Sequence, residues 1–331
     1  RLLTGTEIMI AIHRCRLRKR GEAICSVIKD AGDDPDVTHK AEIGASVSLL
    51  DSDERCGTGK RSEIIISGGE GVGRVTKPGL EVDPGQPAIN PGPQKMIAQA
   101  IEEVLKKHRL GGTVCTEIFV PQGKKLAEKT LNARLGILGG ISILGTTGVV
   151  RPMSHDAFIA TIESALSVAR ACGLNQVVLT TGRRSERFAQ GCWGRIAPEA
   201  FIQIGDFFKL SLESAAKRGF VHITLAVFFG KALKMAQGVP HTHAGKSSLT
   251  LDKLSGWTWE ITKDSELSRK ISAANTARHA FDILREQRPE VISHVGQLLV
   301  ASAKCFAGLK TKIRSIIFDY DGEVVFDSEN Q

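Results

Sequence analysis

The alternation of helix and strand patterns after Pro152 constrains the fold more than any other feature of the sequence. Apolar residues recur there at helical spacing, and short runs of β-branched and apolar residues follow. Because a strand–helix–strand order gives parallel strands, we expect a parallel sheet with helices on both faces. The predicted elements are a helix from an N-cap at Ser154 to Gly173, strands over 177–181, 201–204 and 221–229, a helix over 206–218 and a short helix after Lys231.

The first 149 residues have a different rhythm, which indicates an α+β domain with short strands over 41–50, 62–67 and 114–120 and a helix over 93–108. A chain of 331 residues exceeds what one core usually organises, so we expect two domains, 1–149 and 150–331. In the last ~80 residues, helices over 265–288 and 290–309 precede a hairpin of strands over 313–318 and 323–326. Packing of this segment back on the first domain is the alternative to its packing within the second.

The charge balance of the chain is basic, with 44 Lys and Arg against 36 Asp and Glu and a net charge of +8 at pH 7. The excess is spread along the chain, apart from a cluster at Arg14–Arg20 that we interpret as the solvated face of a helix. Nucleic-acid binders usually interleave aromatic residues with basic ones for base stacking. With 13 Phe, 3 Trp and 1 Tyr, this chain is not expected to bind nucleic acid.

Cysteine and histidine spacing gives no metal site. The seven Cys residues include no CxxC pair, which favours free thiols in a reducing, cytoplasmic compartment. His241 and His243 lie one residue apart, but no third ligand is marked nearby, so hydrogen bonding is favoured over metal binding. The longest apolar runs are too short to cross a bilayer and no secretory signal is visible, so we expect no membrane partner.

Two glycine-rich stretches, 57–92 and 136–148, are candidates for the walls of a binding site. Lys77 lies beside the Pro78–Gly79 turn, where an anion could bind. The bare backbone of 136–148 is suited to close packing on a flat ligand, and a hairpin between domains is the alternative.

The polar cluster DDPDVTH (33–39) has two interpretations that the spacing does not separate. Its acids and histidine are candidates for a general base, and an Asp-rich turn stiffened by Pro35 is equally compatible.

Two further motifs resemble phosphate-handling sites but lack required residues. HAGKSS (243–248) lacks the first Gly of a P-loop, and IIFDYDGEVVFDSE (316–329) resembles the first motif of the haloacid-dehalogenase phosphatases without their downstream ligands, so a strand ending in an Asp–Gly turn is favoured.

Several long motifs occur in the order of one enzyme family: DDPDVTH (33–39), GGEGVGRVTKPGL (68–80), PAINP (87–91), NARLGILGGISILGTTGVVRPMS (132–154) and THAG (242–245). From about Ser26 to the C-terminal DYDGE, the chain resembles the cobalt-precorrin-5B C-1 methyltransferases of anaerobic cobalamin biosynthesis. The N-terminus departs from the family pattern, because Glu7 stands where the family has Cys. A non-catalytic tetrapyrrole- or corrinoid-binding protein of the same fold is therefore the alternative.

The resemblance implies transfer of a methyl group from S-adenosyl-L-methionine to C-1 of cobalt-precorrin-5B, giving cobalt-precorrin-6A, with cobalt present only as part of the substrate. It also implies that an α+β two-layer domain with Gly-rich loops is paired with a Rossmann-like, three-layer parallel-sheet domain. In-line methyl transfer mainly requires alignment of the methyl group with the attacking carbon, so no protein-bound metal is expected. The partner is then an anionic tetrapyrrole, and a homodimer is one possible assembly.

The resemblance and the chemistry together select candidate site residues. Candidates for a base that adjusts the protonation of the macrocycle are Asp34, Asp36 and His39. Candidates for substrate binding are Lys77, Asn90, Asn132, Arg134, Ser142, Thr146, Thr147 and His243. Candidates for binding the methyl donor are Gly139, Gly140, Gly182, Arg183, Asp206, Gly230 and Lys231.

Overall fold

The computed structural model describes residues 9–19, 21–34, 36–50, 62–145, 148–149, 155–194, 196–243 and 248–329. The chain is a mixed α/β protein that divides into two compact units, Arg1–His155 (unit 1) and Asp156–Gln331 (unit 2). The predicted N-cap Ser154 and the candidate site residues Thr146 and Thr147 lie outside the described residues.

Unit 1 is built on a five-stranded mixed sheet. Its strands are β1 (Ile12–Lys19), β2 (Glu22–Ile28), β3 (Glu42–Leu50), β4 (Glu63–Gly68) and β6 (Thr113–Phe119). They lie in the order β1-β2-β3-β6-β4, and the β4–β6 pair is parallel while the other pairs are antiparallel. The remaining elements are the short antiparallel pair β5 (Arg74–Val75) and β7 (Ile137–Leu138), with helices α1 (Pro91–His108) and α2 (Gly123–Ala127).

The interpretation of Arg14–Arg20 as a helix face is wrong, because this segment is strand β1 up to Lys19. Arg20 lies outside the described residues. Arginines at every second position share one face of a strand, and β1 pairs in antiparallel register with β2. The Arg14 guanidinium also forms an ion pair with Glu42 of β3 at 2.6 Å. Pairing with neighbouring strands therefore decides the conformation of this basic segment.

Glycines in unit 1 allow three backbone segments to touch. A Cβ built on Gly123 would lie 2.0 Å from the Gly71 carbonyl oxygen, and one on Gly140 would lie 2.2 Å from the same atom. Gly71 itself has a φ of 71°, a conformation that favours glycine. The three segments therefore meet at a distance that no other residue type permits.

The sheet of unit 2 has the order β12-β11-β10-β8-β9. Its strands are β8 (Gln176–Thr180), β9 (Phe201–Gln203), β10 (His222–Phe228), β11 (Lys312–Phe318) and β12 (Val324–Asp327). The predicted parallel pairing is confirmed for β8–β9 and β8–β10, and β11 extends the parallel sheet on the other side of β10. The predicted C-terminal hairpin is also confirmed, because β11 and β12 pair antiparallel.

Helices pack on both faces of this sheet. The helices of the C-terminal half are α3 (His155–Ala171), α4 (Arg183–Cys192), α5 (Phe208–Lys217), α6 (Phe229–Ala236), α7 (Ser248–Thr262), α8 (Ser265–Ser272), α9 (Ala277–Gln287) and α10 (Pro289–Ala307), with a 3-10 turn at Pro198–Ala200. Residues of α4 form the smaller apolar core on one face, and residues of α3, α5, α6 and α10 form the larger core on the other. Among the described residues, every helix is too short or too polar to cross a bilayer.

The prediction of one helix over 265–288 is wrong, because α8 and α9 are separate helices. Thr276 adopts an extended backbone between them, and its hydroxyl accepts a hydrogen bond from the His279 amide at 3.1 Å. This N-cap satisfies an amide that a continuous helix would have bonded internally. The break therefore sets the position of α9 independently of α8.

Two helical glycines provide a test of close packing in unit 2. We predict that Gly296→Ala in α10 destabilises the protein by about 1–3 kcal/mol, because the new Cβ would lie 2.2 Å from the buried Phe326 ring. The matched control is Gly256→Ala in α7, which meets nothing within 4 Å and should stabilise by about 0.5–1 kcal/mol through helix propensity. Urea unfolding followed by tryptophan fluorescence measures both, since Trp193, Trp257 and Trp259 all lie in unit 2. Equal effects of the two substitutions would contradict the packing argument.

Candidate functional site

The carboxyl edge of the parallel sheet in unit 2 is the candidate site. From β8 the chain continues to β9 on one side, whereas from β10 it continues to β11 on the other. The order thus reverses between β8 and β10, and in open parallel sheets ligands bind in the crevice at such a reversal. The residues that follow the strands there are Thr181 and Gly182, Gly205 and Asp206, Phe229 and Gly230, and Asp319 and Tyr320.

Asp206 is the centre of a hydrogen-bonded cluster at this edge. Its Oδ1 accepts hydrogen bonds from the Lys231 Nζ of α6 and, at 2.9 Å, from the Thr242 hydroxyl. Its Oδ2 lies 3.4 Å from Nδ1 of His243. Lys234 donates to the backbone carbonyls of Thr242 and His243 at 3.3 and 3.1 Å. The structure therefore brings the predicted residues Asp206, Lys231 and His243 together.

The cluster holds Asp206 as a carboxylate. Burial raises the pKa of Asp206, but the hydrogen bonds from Lys231, Thr242 and His243 and the charge of Lys231 outweigh burial and lower it below its ordinary value. Burial and the neighbouring charge of Lys231 lower the pKa of Lys234. A carboxylate with a lowered pKa is a weak base, so the geometry fits Asp206 for positioning Lys231 and the 241–243 loop.

The N-terminus of α4 opens onto the same edge. Gly182 is fully extended and, as a glycine, supplies no side-chain cap to the helix, and a Cβ on Gly182 would meet nothing within 4 Å. Arg183 is exposed in the first turn. Uncapped amides and the helix dipole favour an anion at such a position.

The sequence interpretation assigned no role to Tyr320, which lies beside Gly230. The Tyr320 ring stacks on Phe228 with centroids 5.6 Å apart, and a Cβ on Gly230 would lie 3.8 Å from the Tyr320 hydroxyl. The one sequence signal is that the single tyrosine of the chain directly follows a buried strand and its terminal aspartate.

Asp319 fixes the turn that carries Tyr320. Its Oδ1 accepts hydrogen bonds from the amides of residues 321, 322 and 323 at 2.7–2.9 Å, and its Oδ2 pairs with Arg285 at 2.6 Å. Burial raises the pKa of Asp319, but these bonds outweigh burial and lower it. The Asp–Gly turn predicted for this segment is thus confirmed, with Asp319 as its structural anchor.

In unit 1 the candidate bases lie in the loop between β2 and β3. The Asp36 carboxylate accepts hydrogen bonds from Lys29 Nζ at 2.5 Å and from the amide and hydroxyl of Thr38 at 2.7 Å. His39 Nδ1 accepts a hydrogen bond from the Ala31 amide at 3.1 Å. Burial raises the pKa of Asp36, but the bonds to Lys29 and Thr38 outweigh burial and lower it. Asp34 lies in the same loop. The loop is therefore internally bonded, and the catalytic role of these residues stays a prediction.

The other candidates of unit 1 lie along its glycine-rich loops. Lys77 Nζ lies 3.5 Å from the Arg134 carbonyl, Asn90 donates to Glu81 at 2.9 Å, and buried Asn132 donates to the Gly140 carbonyl at 3.3 Å. Gly140 packs on Gly71, Gly139 has a φ of 82°, and Ser142 lies between the backbone bridges formed by Ile141 and Ile143. Their roles in binding also stay predictions.

Unit 1 also contains an apolar cavity of about 410 Å³ between its sheet and α1. Cys25, Ile43 and Ile118 line it from the sheet, and Met96 and Ile97 line it from α1. A cavity with these walls accommodates a flat apolar surface.

Comparison with known proteins gives consistent matches. A CbiD family model matches residues 1–152, and a model of the CbiD C-terminal domain matches residues 241–329. The chain is 40% identical over 326 residues to the cobalt-precorrin-5B C(1)-methyltransferase of Leptospira borgpetersenii, covering 98% of this chain and 85% of that protein. It is 43% identical over 301 residues to the protein of the same name from Nitratidesulfovibrio vulgaris, covering 89% and 75%.

Among solved structures, the chain is similar to the cobalamin biosynthesis protein (cbiD) from Archaeoglobus fulgidus. The two are 21% identical, with a TM-score of 0.30, over 81% of this chain and 68% of the other.

The Asp206 cluster predicts a pH-dependent stability. We expect Asp206→Asn to lower the free energy of unfolding by about 1–3 kcal/mol at pH 7, because the bonded carboxylate is lost. The folded-state pKa of Asp206 lies below its unfolded value of about 3.9, so this stabilisation is complete above that pH and is lost as the pH falls through the folded-state pKa. Urea unfolding of wild type and variant at several pH values should show the difference shrinking below about pH 4.

The matched control for Asp206→Asn is Glu213→Gln. Glu213 forms an exposed ion pair with Lys209 at 3.7 Å, and removing it should change the free energy of unfolding by less than about 0.5 kcal/mol. If the two substitutions cost the same at pH 7, the Asp206 cluster is not a stabilising centre.

Proposed function

The chain belongs to the CbiD family, and we propose that it catalyses the reaction for which its relatives are named. It is a methyltransferase that methylates C-1 of cobalt-precorrin-5B in cobalamin biosynthesis. The observation that carries this conclusion is identity of 40% over 98% of the chain. That alignment spans nearly all of the two units, and the C-terminal match includes the loop that holds His243.

We propose that the methyl donor is S-adenosyl-L-methionine. When bound, it supplies an electrophilic methyl group: the bond from C-1 to the methyl carbon forms as the bond from sulfur to that carbon breaks, and the thioether leaves. The protein then has to hold donor and acceptor in line and exclude water, which lowers the barrier through orientation. No metal bound by the protein enters this scheme.

The donor is proposed to bind at the carboxyl edge of unit 2, which we regard as a Rossmann-like domain. Support comes from the parallel strand order, the helices on both faces and the reversal between β8 and β10. The uncapped amides of α4 fit the carboxylate of the methionine moiety, and the open space at Gly182 leaves room for it. Arg183, Asp206, Gly230 and Lys231 complete the proposed donor site, while Gly139 and Gly140 are weaker candidates because Gly140 packs on Gly71.

The flat face of the macrocycle is proposed to meet apolar and glycine-rich surfaces of unit 1. The apolar cavity supports this placement, and the glycine-rich loops of the same unit contain the candidates Lys77, Asn90, Asn132, Arg134 and Ser142. The candidates Thr146 and Thr147 lie outside the described residues. Cationic and amide groups of this kind form charge-assisted bonds with carboxylates. His243 of unit 2 is exposed and held by Asp206, which suits it to a substrate carboxylate.

Replacement of a hydrogen by the transferred methyl cation releases one proton from the macrocycle, and a base accepts it. Asp34, Asp36 and His39 are the proposed candidates, and Asp36 is the least suited because its hydrogen bonds lower its pKa.

We further propose a cytoplasmic location, which suits a chain with free thiols, and a homodimer as its assembly.

The reaction is tested with purified protein, S-adenosyl-L-methionine and cobalt-precorrin-5B. We expect the product mass to rise by one methyl group in place of one hydrogen, and calorimetry to detect binding of the donor. A folded preparation that binds the macrocycle without methylating it would instead support a non-catalytic tetrapyrrole-binding protein.

The proposed donor site is tested by Gly182→Asp. The new carboxylate can cap α4, so stability should be unchanged or slightly raised, while the dissociation constant for S-adenosyl-L-methionine should rise tenfold or more because the amides are occupied and an anion is present. Gly182→Asn, of nearly equal size and neutral, should weaken binding less. Wild-type affinity in both variants would remove the N-terminus of α4 from the donor site.

A further inference from the structure

Two arginines from different helices lie against one pair of stacked rings at the carboxyl edge of unit 2. The Arg184 guanidinium of α4 lies 5.4 Å from the Phe228 ring centre. The Arg278 guanidinium of α9 lies 4.5 Å from the Tyr320 ring centre, and the two rings are parallel within 2°. Arg184 and Arg278 are 94 positions apart, and both side chains are exposed.

Stacking on a ring fixes a guanidinium while leaving its in-plane N–H groups available. Arg184 uses one of them to donate to the Tyr320 carbonyl. Within the described part of the chain, Arg278 forms neither an ion pair nor a hydrogen bond, and its defined contact is the Tyr320 ring. A planar guanidinium held in this way is prepared to bind a carboxylate in two-pronged fashion.

The rings that hold these arginines are themselves fixed. Tyr320 packs edge-on against buried Phe281, and Asp319 anchors its turn. Asp319 does not oppose an anion, because Arg285 pairs with it. The exposed carboxylate of Asp282 in α9 interacts electrostatically with Tyr320, and so do the positive charges of Arg184 and Arg278. One negative charge is therefore opposed by two positive charges. The local balance favours an anionic ligand.

We propose that Arg184 and Arg278 form a carboxylate-binding subsite for the peripheral carboxylates of the tetrapyrrole. This assignment rests on the proposed function for the identity of the ligand. Two fixed guanidinium groups on separate helices suit a ligand with several carboxylates. The methyl donor has a single carboxylate beside an ammonium group, so it can satisfy only one of them. The subsite therefore selects the macrocycle and orients it at the edge where the donor is proposed to bind.

The test uses cobalt uroporphyrin, a stable cobalt macrocycle with carboxylates around its rim, in absorbance titrations of the full-length protein. Arg278→Gln and Arg184→Gln should each raise its dissociation constant about tenfold or more, the effect of losing a charge-assisted bond. Their affinity for S-adenosyl-L-methionine should be unchanged. The matched control is Arg170→Gln, which removes an exposed arginine from the end of α3 that leads into the amino end of β8. Thermal unfolding of all variants checks that the fold is retained.

The outcomes separate this proposal from the proposed function. If both variants bind the macrocycle like wild type, or if they lose affinity for S-adenosyl-L-methionine in its place, the subsite is overturned. If Arg170→Gln weakens binding equally, the effect is one of net charge and the subsite is also overturned. If binding depends on Arg184 and Arg278 but wild type transfers no methyl group, the subsite stands and the proposed function fails.

Discussion

Parallel pairing of β10 with β8 on one side and β11 on the other is the constraint on which unit 2 depends. Parallel neighbours need crossovers, so the helical connections return the chain to the amino edge, and each of the four parallel strands β8–β11 delivers its next residues to the carboxyl edge. Residues as far apart as Gly182 and Tyr320 therefore meet there. The topology of the sheet therefore decides which residues lie together at this edge.

At that edge two carboxylates lie deeper in the protein than the two guanidinium groups. The carboxylates of Asp206 and Asp319 are each satisfied by several donors, and both serve to fix a loop after a strand. The guanidinium groups of Arg184 and Arg278 lie further out, held by rings instead of by carboxylates. An approaching polyanion therefore meets these two cations, because the carboxylates of Asp206 and Asp319 are already neutralised within the protein. Asp282 is the exposed carboxylate that opposes them.

Much of this edge could be predicted from the sequence, because glycine or acidic residues directly after buried strands mark Gly182 and Asp206. The tertiary pairs could not. Arg278 belongs to the segment predicted as one long helix, so the Thr276 cap that positions α9 was missed. Tyr320 stacks on a residue 92 positions away, and no local pattern encodes such a contact. The strand at 12–19 was missed for the same reason, since the partners of its arginines lie on β2 and β3.

The glycine-rich stretches of unit 1 show how one sequence signal has two physical causes. Glycine permits close approach of a backbone, whether to a ligand or to another backbone. At Gly71, Gly123 and Gly140 the glycine permits close approach to another backbone, because the neighbouring segment fills the space that a Cβ would need. The side chains around the apolar cavity, such as Met96 and Ile118, are a separate feature of this unit. On this reasoning, the glycines set the shape of the loops, and the proposed contacts with the macrocycle come from the side chains that line the cavity.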